Sequence, residues 1–234
     1  MTDRRTQLVR QLDELDHRIA AGCAAAGREP ESVTLIAVTK TFPATDVRLL
    51  AELGVTDVGE NRDQEARPKH EACADLPLRW HLVGQLQRNK ARSVAQYADV
   101  VHSVDREALV AALSKAVVTA GRRLTALVQV DLEPRAGSGR GGAPLEQVEE
   151  LAAAIAAAPG LLLGGVMAVA PPAEDPDPAF ARLATVAASV QRAHPQATMI
   201  SAGMSGDLEA ALRHGATHLR VGTALLGDRP PFVG

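Results

Sequence analysis

Hydrophobic and polar positions alternate along the chain in blocks that predict a regular succession of strands and helices. The first block carries Leu8, Leu12, Leu15 and Ile19 at spacings of four and three residues, which predicts an amphipathic helix. Short apolar runs then recur, separated by longer segments with helical spacing. We predict eight strands, at Leu35–Thr39, Val55–Glu60, Trp80–Gly84, Val100–Val104, Thr125–Leu132, Gly164–Val169, Thr198–Ala202 and His218–Val221.

Helices are predicted between these strands. Gly54 and Gly121 each end one of them, and Asp105 is the predicted N-cap of the helix that ends at Ala120. The remaining segments with helical patterns are Ala44–Leu53, Asn61–Ala72, Asn89–Tyr97, Ala143–Ala157, Ala179–Ala193 and Ser205–His214, with a proline-rich loop at Pro171–Pro178.

Strands that alternate with helices eight times are typical of an α/β fold, a single (β/α)8 TIM barrel, here with an extra N-terminal helix. We therefore expect one domain over residues 1–234. An open doubly wound sheet is the alternative, because alternation alone does not separate the two folds. The glycine-rich segment Gly137–Gly142 follows a strand, but it does not match GxGxxG and lacks the Walker lysine. It is interpreted as a mobile or backbone-donating loop rather than a nucleotide site.

Composition and charge exclude several classes of partner. The net charge is −3, aromatic residues make up 2% of the chain, and no apolar run approaches the ~20 residues of a membrane span. We therefore expect no affinity for nucleic acid or membranes. The N-terminus leads into charged residues, and two cysteines, Cys23 and Cys73, fit a reducing compartment. A cytoplasmic location is expected.

Lys40 is the candidate nucleophile. It closes the apolar run that begins at Leu35, and Thr41–Pro43 end that run, so the amine is expected at the C-terminal end of a barrel strand. Barrel enzymes carry out their chemistry at this end. Val38 and Phe42 would draw the amine partly out of water, which disfavours the ammonium form and favours attack on a carbonyl. A strand-end lysine that reaches solvent is the alternative interpretation.

The loops after the seventh and eighth predicted strands are candidates for a phosphate site. The segments Ser201–Gly206 and Gly222–Thr223 combine glycines, which let a backbone approach a ligand closely, with the hydroxyls of Ser201, Ser205 and Thr223. Ordinary turn glycines are the alternative. Arg220 shares a strand face with Gly222 and needs a partner, which could be a phosphate, a carboxylate, a ring nitrogen or a structural salt bridge.

Other polar residues near the predicted strand ends are Glu60, Asn61, His81, His102 and Asp131. A metal site at the two histidines is an alternative, but HExxH-like spacing is missing and no metal is expected. A lysine, a phosphate site and an arginine together suggest a phosphorylated aldehyde held as a Schiff base, for which pyridoxal 5′-phosphate is the obvious candidate.

Seven blocks of the sequence carry a family resemblance. They are Ala37–Thr41, Gly59–Asn61, Trp80–Lys90, His102–Asp105, Gly165–Ala168, Ser201–Ser205 and Arg220–Thr223. Together, and in this order, they closely resemble the pyridoxal-phosphate homeostasis protein family, which is related to the N-terminal barrel of alanine racemase. Arg62, Gly206 and the loop Glu133–Gly142 depart from the residues usual in that family.

The resemblance implies pyridoxal phosphate bound as an internal aldimine to Lys40. It also implies phosphate contacts from Ser201, Gly222 and Thr223, with Arg220 near the pyridine nitrogen. Asn61 would lie close to the cofactor ring. These residues are cofactor-binding, and no residue is assigned a catalytic role.

The resemblance further implies a carrier rather than an enzyme. Alanine racemases add a second domain with a catalytic tyrosine, whereas the single tyrosine here, Tyr97, falls in a predicted helix. We expect a monomer that holds the cofactor reversibly for intracellular homeostasis, with pyridoxal-phosphate-dependent apoenzymes as recipients. The alternatives are a weak amino-acid racemase or similar enzyme that uses Lys40 as its base, and a metal-dependent or phosphosugar barrel enzyme.

Overall fold

Eight parallel strands close into a barrel in which each strand pairs with the next and the last pairs with the first. The structure is a computed structural model that describes residues 3–133, 141–172 and 175–228. The strands are β1 (Thr34–Val38), β2 (Asp57–Glu60), β3 (Arg79–Leu82), β4 (Val100–Val104), β5 (Leu124–Gln129), β6 (Leu161–Met167), β7 (Met199–Ser201) and β8 (His218–Val221).

Helices connect the strands and surround the barrel. They are α1 (Arg4–Ala25), α2 (Ala44–Glu52), α3 (Asp63–Ala72), α4 (Ala91–Val94), α5 (Glu107–Thr119), α6 (Val148–Ala157), α7 (Pro176–Ala193), α8 (Leu208–Arg213) and α9 (Thr223–Leu226), with short 3₁₀ turns at Pro30–Ser32, Arg88–Lys90 and Leu145–Gln147. The predicted TIM barrel with an extra N-terminal helix is confirmed, and the open-sheet alternative is wrong because the sheet closes. No helix in the described ranges is both long and apolar enough to cross a membrane.

The extra helix α1 packs across α8 and α9. Its buried positions include Leu8, Leu15 and Ile19, as its apolar spacing predicts. Gly22 allows the close approach, because a Cβ there would lie 2.6 Å from Cδ1 of Leu212. The helix therefore completes the apolar layer where the end of the barrel meets its beginning.

Most of the hydrophobic core lies between the strands and the helices and consists largely of alanine, valine and leucine side chains. Inside the barrel, a small apolar cluster of Val100, Leu127 and Met167 fills part of the space. Much of the remaining interior is polar, since His81, His102, Ser201 and Arg220 are all buried there. Polar groups in this position need hydrogen-bond partners, and these side chains bond to one another.

Several predicted element ends differ from the structure. Asp105 is not the N-cap of α5: Arg106 occupies that position, and the Asp105 carboxylate binds the Arg106 guanidinium instead. The predicted strand Thr125–Leu132 ends at Gln129, because Val130 forms only an isolated bridge with Ala143.

Two predicted loops are described only in part. Helix α7 begins at Pro176, inside the loop predicted to run to Pro178, because the Asp175 carboxylate caps it by accepting the N–H of Asp177 at 3.1 Å. Residues 173–174 of that loop lie outside the described ranges, as do residues 134–140 of the glycine-rich loop. The expectations for those residues stay predictions.

Candidate functional site at the C-terminal end of the barrel

Lys40 lies two residues beyond the end of β1, half-buried in a turn. The preceding Thr39 points its hydroxyl away from the barrel interior, where it donates to Oε1 of Glu60 at 2.6 Å. Successive side chains of an extended segment point to opposite sides. Val38 therefore faces the inside of the barrel, and Lys40 lies in the turn immediately beyond it.

The backbone on both sides of Lys40 is held by helix α3. The carbonyl oxygen of Thr39 accepts a hydrogen bond from Nζ of Lys69 at 2.8 Å. The N–H of Thr41 donates to Oε2 of Glu65 at 3.1 Å. Among the described residues other than glycine, Thr41 alone has a positive φ, 70°. These contacts fix the two peptide groups that flank Lys40 and so restrict the direction of its side chain.

A buried ion pair supports this arrangement from outside the barrel wall. Nζ of Lys69 lies 2.5 Å from Oε1 of Glu60, and both side chains are more than nine-tenths buried. Burial raises the pKa of Glu60, although the Lys69 charge and the hydrogen bonds from Lys69 and Thr39 oppose this effect. Sequence reasoning missed Lys69, because it lies in a polar helix that predicts a solvated surface. Its spacing of four from Glu65 was the available signal that the two share a helix face.

The two predicted phosphate loops meet beside the β1 strand. The register of β8 on β1 places Gly222 next to Val38, and a Cβ on Gly222 would lie 3.3 Å from the Val38 carbonyl oxygen. The loop after β7 joins this region because Oγ of Ser205 accepts the N–H of Ala224 at 3.1 Å. The two loops are therefore adjacent, and both lie next to the end of β1.

Gly203 fixes the path of the first of these loops. Its φ of 89° is in the left-handed region, and a Cβ there would lie 2.7 Å from Cβ of Ala211. Its carbonyl oxygen accepts the N–H of Arg220 at 2.9 Å. The turn after β7 is thus tied directly to β8.

Arg220 is 5% exposed and points into the barrel interior. Its Nη1 donates to Oγ of Ser201 at 2.6 Å and its Nη2 donates to the carbonyl oxygen of Ala168 at 2.8 Å. Burial lowers the pKa of Arg220 to about 10, so it is still a cation at neutral pH. No carboxylate in the described ranges forms an ion pair with it, which disfavours the structural salt bridge considered from the sequence.

The other predicted site residues lie around these groups. Ser201 is fully buried at the end of β7, and its hydroxyl contacts both Arg220 and Nδ1 of His102, the latter at 2.9 Å. Asn61 follows β2 and packs on Gly84, where a Cβ would lie 2.7 Å from the Asn61 side chain. Thr223 is exposed at the start of α9. All six predicted residues thus sit at or just beyond the C-terminal ends of β1, β2, β7 and β8.

Two cavities border this end of the barrel, and neither has Lys40 in its lining. One of about 460 Å³ includes Asn61, Gln85 and Gln87 in its lining. Another, of about 950 Å³, is a groove between α3 and α4 that includes Asp63 and Arg92. We locate the site by the buried and glycine-lined groups around Arg220, because the larger groove holds none of them.

The predicted metal alternative finds no support in residues 3–133, 141–172 and 175–228. No group of three or more His, Cys, Asp or Glu side chains there is arranged to hold a metal ion. His81 and His102 instead hydrogen-bond to each other at 2.8 Å. Asp131 accepts the N–H of Glu133 at 3.0 Å.

Comparison with known proteins places this geometry in context. The sequence matches the family described as "Alanine racemase, N-terminal domain" over residues 11–230. It is 44% identical over 247 aligned residues to a protein of Mycobacterium tuberculosis H37Rv named "Pyridoxal phosphate homeostasis protein", covering 97% of this chain and 95% of that protein. An Escherichia coli K12 protein of the same name is 34% identical over 228 residues, with 95% and 97% covered.

A solved structure shows the same architecture. It is PipY of Synechococcus elongatus PCC7942 with pyridoxal phosphate bound, which superposes with a TM-score of 0.78 at 36% sequence identity. The alignment covers 89% of this chain and all of PipY.

Proposed function

The chain belongs to the alanine racemase N-terminal domain family, and from this premise we propose that it binds pyridoxal 5′-phosphate and serves in homeostasis of that cofactor. The names of the relatives and the cofactor bound to PipY support this proposal. The observation that carries it is the buried cation of Arg220 beside the Gly222 loop, with Lys40 at the end of the neighbouring strand.

The residues present fit the three polar parts of the cofactor. Gly222 lets its loop pack close to the Val38 carbonyl oxygen at the end of β1, and Thr223 and Ser205 would supply hydroxyls to a phosphate there. Arg220 would supply a donor for the pyridine nitrogen, and Asn61, directly after β2, would lie close to the cofactor ring. When bound, pyridoxal phosphate would supply an aldehyde carbon, and the Lys40 amine would be the residue that holds it covalently and reversibly, with water as the leaving group.

Ser201 has a particular place in this proposal. Its hydroxyl already bonds to Arg220 and His102, so a direct phosphate contact would require it to leave one of them. We therefore assign Ser201 to the site chiefly as the residue that holds Nη1 of Arg220, with the phosphate contact from its loop made by the backbone and Ser205.

Arg220 also explains why the site would hold the cofactor rather than use it for turnover. A guanidinium has donors only, so a ring nitrogen that faces it stays unprotonated. The unprotonated ring is a weaker electron sink, and carbanion chemistry is disfavoured. Tyr97 offers no second acid or base at the site, because its hydroxyl is buried beside Asp63, 3.4 Å from Oδ1.

In this proposal the protein is a single-domain, monomeric carrier in the cytoplasm. It holds the cofactor on Lys40 and releases it to pyridoxal-phosphate-dependent apoenzymes. The test titrates purified protein with pyridoxal phosphate while absorbance is followed, and then adds a panel of amino acids in both enantiomers. We expect saturable binding, release to an added apoenzyme and no turnover.

The relation of the fold to alanine racemase favours one alternative, an enzyme with Lys40 as base. Robust turnover that Lys40→Ala abolishes would establish that alternative.

A further inference from the structure

An unbroken line of hydrogen bonds crosses the barrel interior from Arg220 to Asp57. After Nη1 of Arg220 meets Oγ of Ser201 at 2.6 Å, Ser201 meets Nδ1 of His102 at 2.9 Å. Nε2 of His102 lies 2.8 Å from Nδ1 of His81, and Nε2 of His81 lies 2.8 Å from Oδ1 of Asp57. These five side chains come from five strands, β2, β3, β4, β7 and β8. We call them the interior relay.

The chemistry of the two ends dictates the direction of every bond in the interior relay. The Asp57 carboxylate only accepts, so His81 must donate from Nε2, and its neutral ring then accepts at Nδ1. His102 must therefore donate from Nε2 and accept at Nδ1. The Ser201 hydroxyl proton goes to His102, which leaves its lone pairs for the guanidinium of Arg220. All donors and acceptors along the line are satisfied.

The protonation states required by this direction agree with the surroundings of the two rings. Burial lowers the pKa of both His81 and His102, so both rings are neutral at neutral pH. Arg79, His218 and Arg220 add positive or potentially positive charge near His102 and disfavour its protonation further, whereas Asp57 and Asp99 act in the opposite sense on His81.

Asp57 is held as an anion by two hydrogen bonds, one from His81 within the relay and one from Thr56 outside it. Burial alone would raise the pKa of Asp57, but hydrogen bonds from His81 and from Oγ1 of Thr56, at 2.7 Å, outweigh burial and lower it. Asp57 also lines a cavity of about 330 Å³ at the N-terminal end of the barrel, together with Asp16 and Thr34. The anion therefore sits at the face of the barrel opposite to Lys40.

We propose that Asp57 is a positioning residue for Arg220: its charge selects the Nε2–H form of His81 and His102, and so makes Ser201 present its lone pairs to the guanidinium. This inference rests on the proposed function, because it gives Arg220 its place beside the cofactor ring. In the opposite orientation, His102 would donate to Ser201 and the Ser201 proton would have no acceptor within the relay.

The test reads the tautomers directly by two-bond ¹H–¹⁵N NMR of the histidine rings. In wild-type protein without cofactor, His81 and His102 should each carry a proton on Nε2 alone. Asp57→Asn keeps the size of the side chain and an acceptor oxygen but removes the charge. In this variant the Nδ1–H form should become populated in both rings, the Nε–H signal of Arg220 should move, and affinity for pyridoxal phosphate should fall about threefold to tenfold.

Asp75→Asn is the matched control, because Asp75 is an exposed carboxylate paired with Arg48. It should leave tautomers and affinity unchanged. The proposal is overturned if either ring of the wild-type protein is protonated on Nδ1, or if Asp57→Asn changes neither the tautomers nor the Arg220 signal. The wild-type spectrum decides the direction of the bonds even if the variant does not fold. Failure of the wild-type protein to bind pyridoxal phosphate would instead contradict the proposed function, while the tautomers would still decide the relay.

Discussion

Nζ of Lys69 donates a hydrogen bond of 2.8 Å to the carbonyl oxygen of Thr39, the residue immediately before Lys40. The same ammonium group forms a buried ion pair with Glu60. One side chain on the outside of the barrel wall therefore links the stability of the β1–β2 region to the orientation of the proposed cofactor-binding amine.

Replacing Lys69 should separate these two roles. Lys69→Met leaves Glu60 buried without its cation, and we expect a loss of about 3 to 5 kcal/mol in the free energy of unfolding. The double variant Glu60→Gln with Lys69→Met removes both charges and should recover much of that stability. Affinity for pyridoxal phosphate should be below that of the wild type in both variants, because the Thr39 carbonyl lacks its donor in each. Urea denaturation and a cofactor titration give the two quantities.

Arg67→Met on the same helix is the control for these variants. Arg67 forms an exposed ion pair with Glu71, so we expect a change in unfolding free energy of at most about 0.5 kcal/mol and unaltered cofactor binding. Wild-type affinity in the double variant would show that Lys69 does not orient Lys40.

Arg220 should contribute to cofactor affinity through its charge. Arg220→Gln keeps hydrogen-bonding groups but removes the cation, and a hydrogen bond to a charged group is worth roughly 1.5–3 kcal/mol. We expect the dissociation constant for pyridoxal phosphate to rise about tenfold to a hundredfold, measured by absorbance titration. Arg213→Gln, at an exposed arginine paired with Asp177, should leave it unchanged. A dissociation constant within twofold of wild type in Arg220→Gln would rule out the proposed contact.

Stability should fall as the pH drops below the ordinary histidine range. Burial lowers the pKa of His81 and His102, and lowers that of His218 to about 4, from an ordinary value of 6.5. Between those values the unfolded chain binds protons that the folded chain does not. Unfolding free energy therefore rises with pH across this window, by up to about 1.4 kcal/mol per pH unit for each histidine.

Urea denaturation at several pH values measures this slope. His17→Gln removes an exposed histidine and should leave the slope unchanged. His218→Asn should reduce the slope by the contribution of one histidine, up to about 1.4 kcal/mol per pH unit. A slope near zero between pH 6.5 and 4 in the wild-type protein would mean that the buried rings are not held neutral.

Gly165 should be intolerant of any side chain. Its φ is 142°, and a Cβ there would lie 2.0 Å from the carbonyl oxygen of Met199 on β7. Gly165→Ala must displace strand backbone, and we expect a loss of about 3 kcal/mol or more in unfolding free energy. Gly206→Ala is the matched control, since nothing lies within 4 Å of its Cβ position. Equal stability of the two variants would contradict the close pairing of β6 with β7 at Gly165.

The fold could be predicted from the sequence because its periodicity is strong. Val100–Val104 and His218–Val221 have the predicted bounds, and β1 and β7 differ from prediction by about one residue at each end. Element ends that depend on tertiary contacts were less predictable. The start of α5 is an example, because Asp105 binds the Arg106 guanidinium, which also donates to the carbonyl oxygen of Leu86 at 3.2 Å.

The site could be predicted only in part. Lys40 and the two glycine loops stand out because they follow apolar runs directly. The interior relay could not be foreseen, because Asp57, His81 and His102 are far apart in sequence and only the strand register brings them together. The role of Lys69 depends on how α3 is rotated against β1, which a polar helical pattern does not specify. The cofactor-binding roles of the six predicted residues stay predictions.

The chain has four lysines, Lys40, Lys69, Lys90 and Lys115, so the proposed attachment can be located without ambiguity. The most direct test mixes the protein with pyridoxal phosphate, reduces it with borohydride and maps the added mass by peptide mass spectrometry. We expect one cofactor per chain on the peptide that contains Lys40, and none after Lys40→Ala, while Lys115→Ala has no effect. An adduct on another lysine, or one that persists in Lys40→Ala, would contradict the proposed site, as would the absence of any adduct.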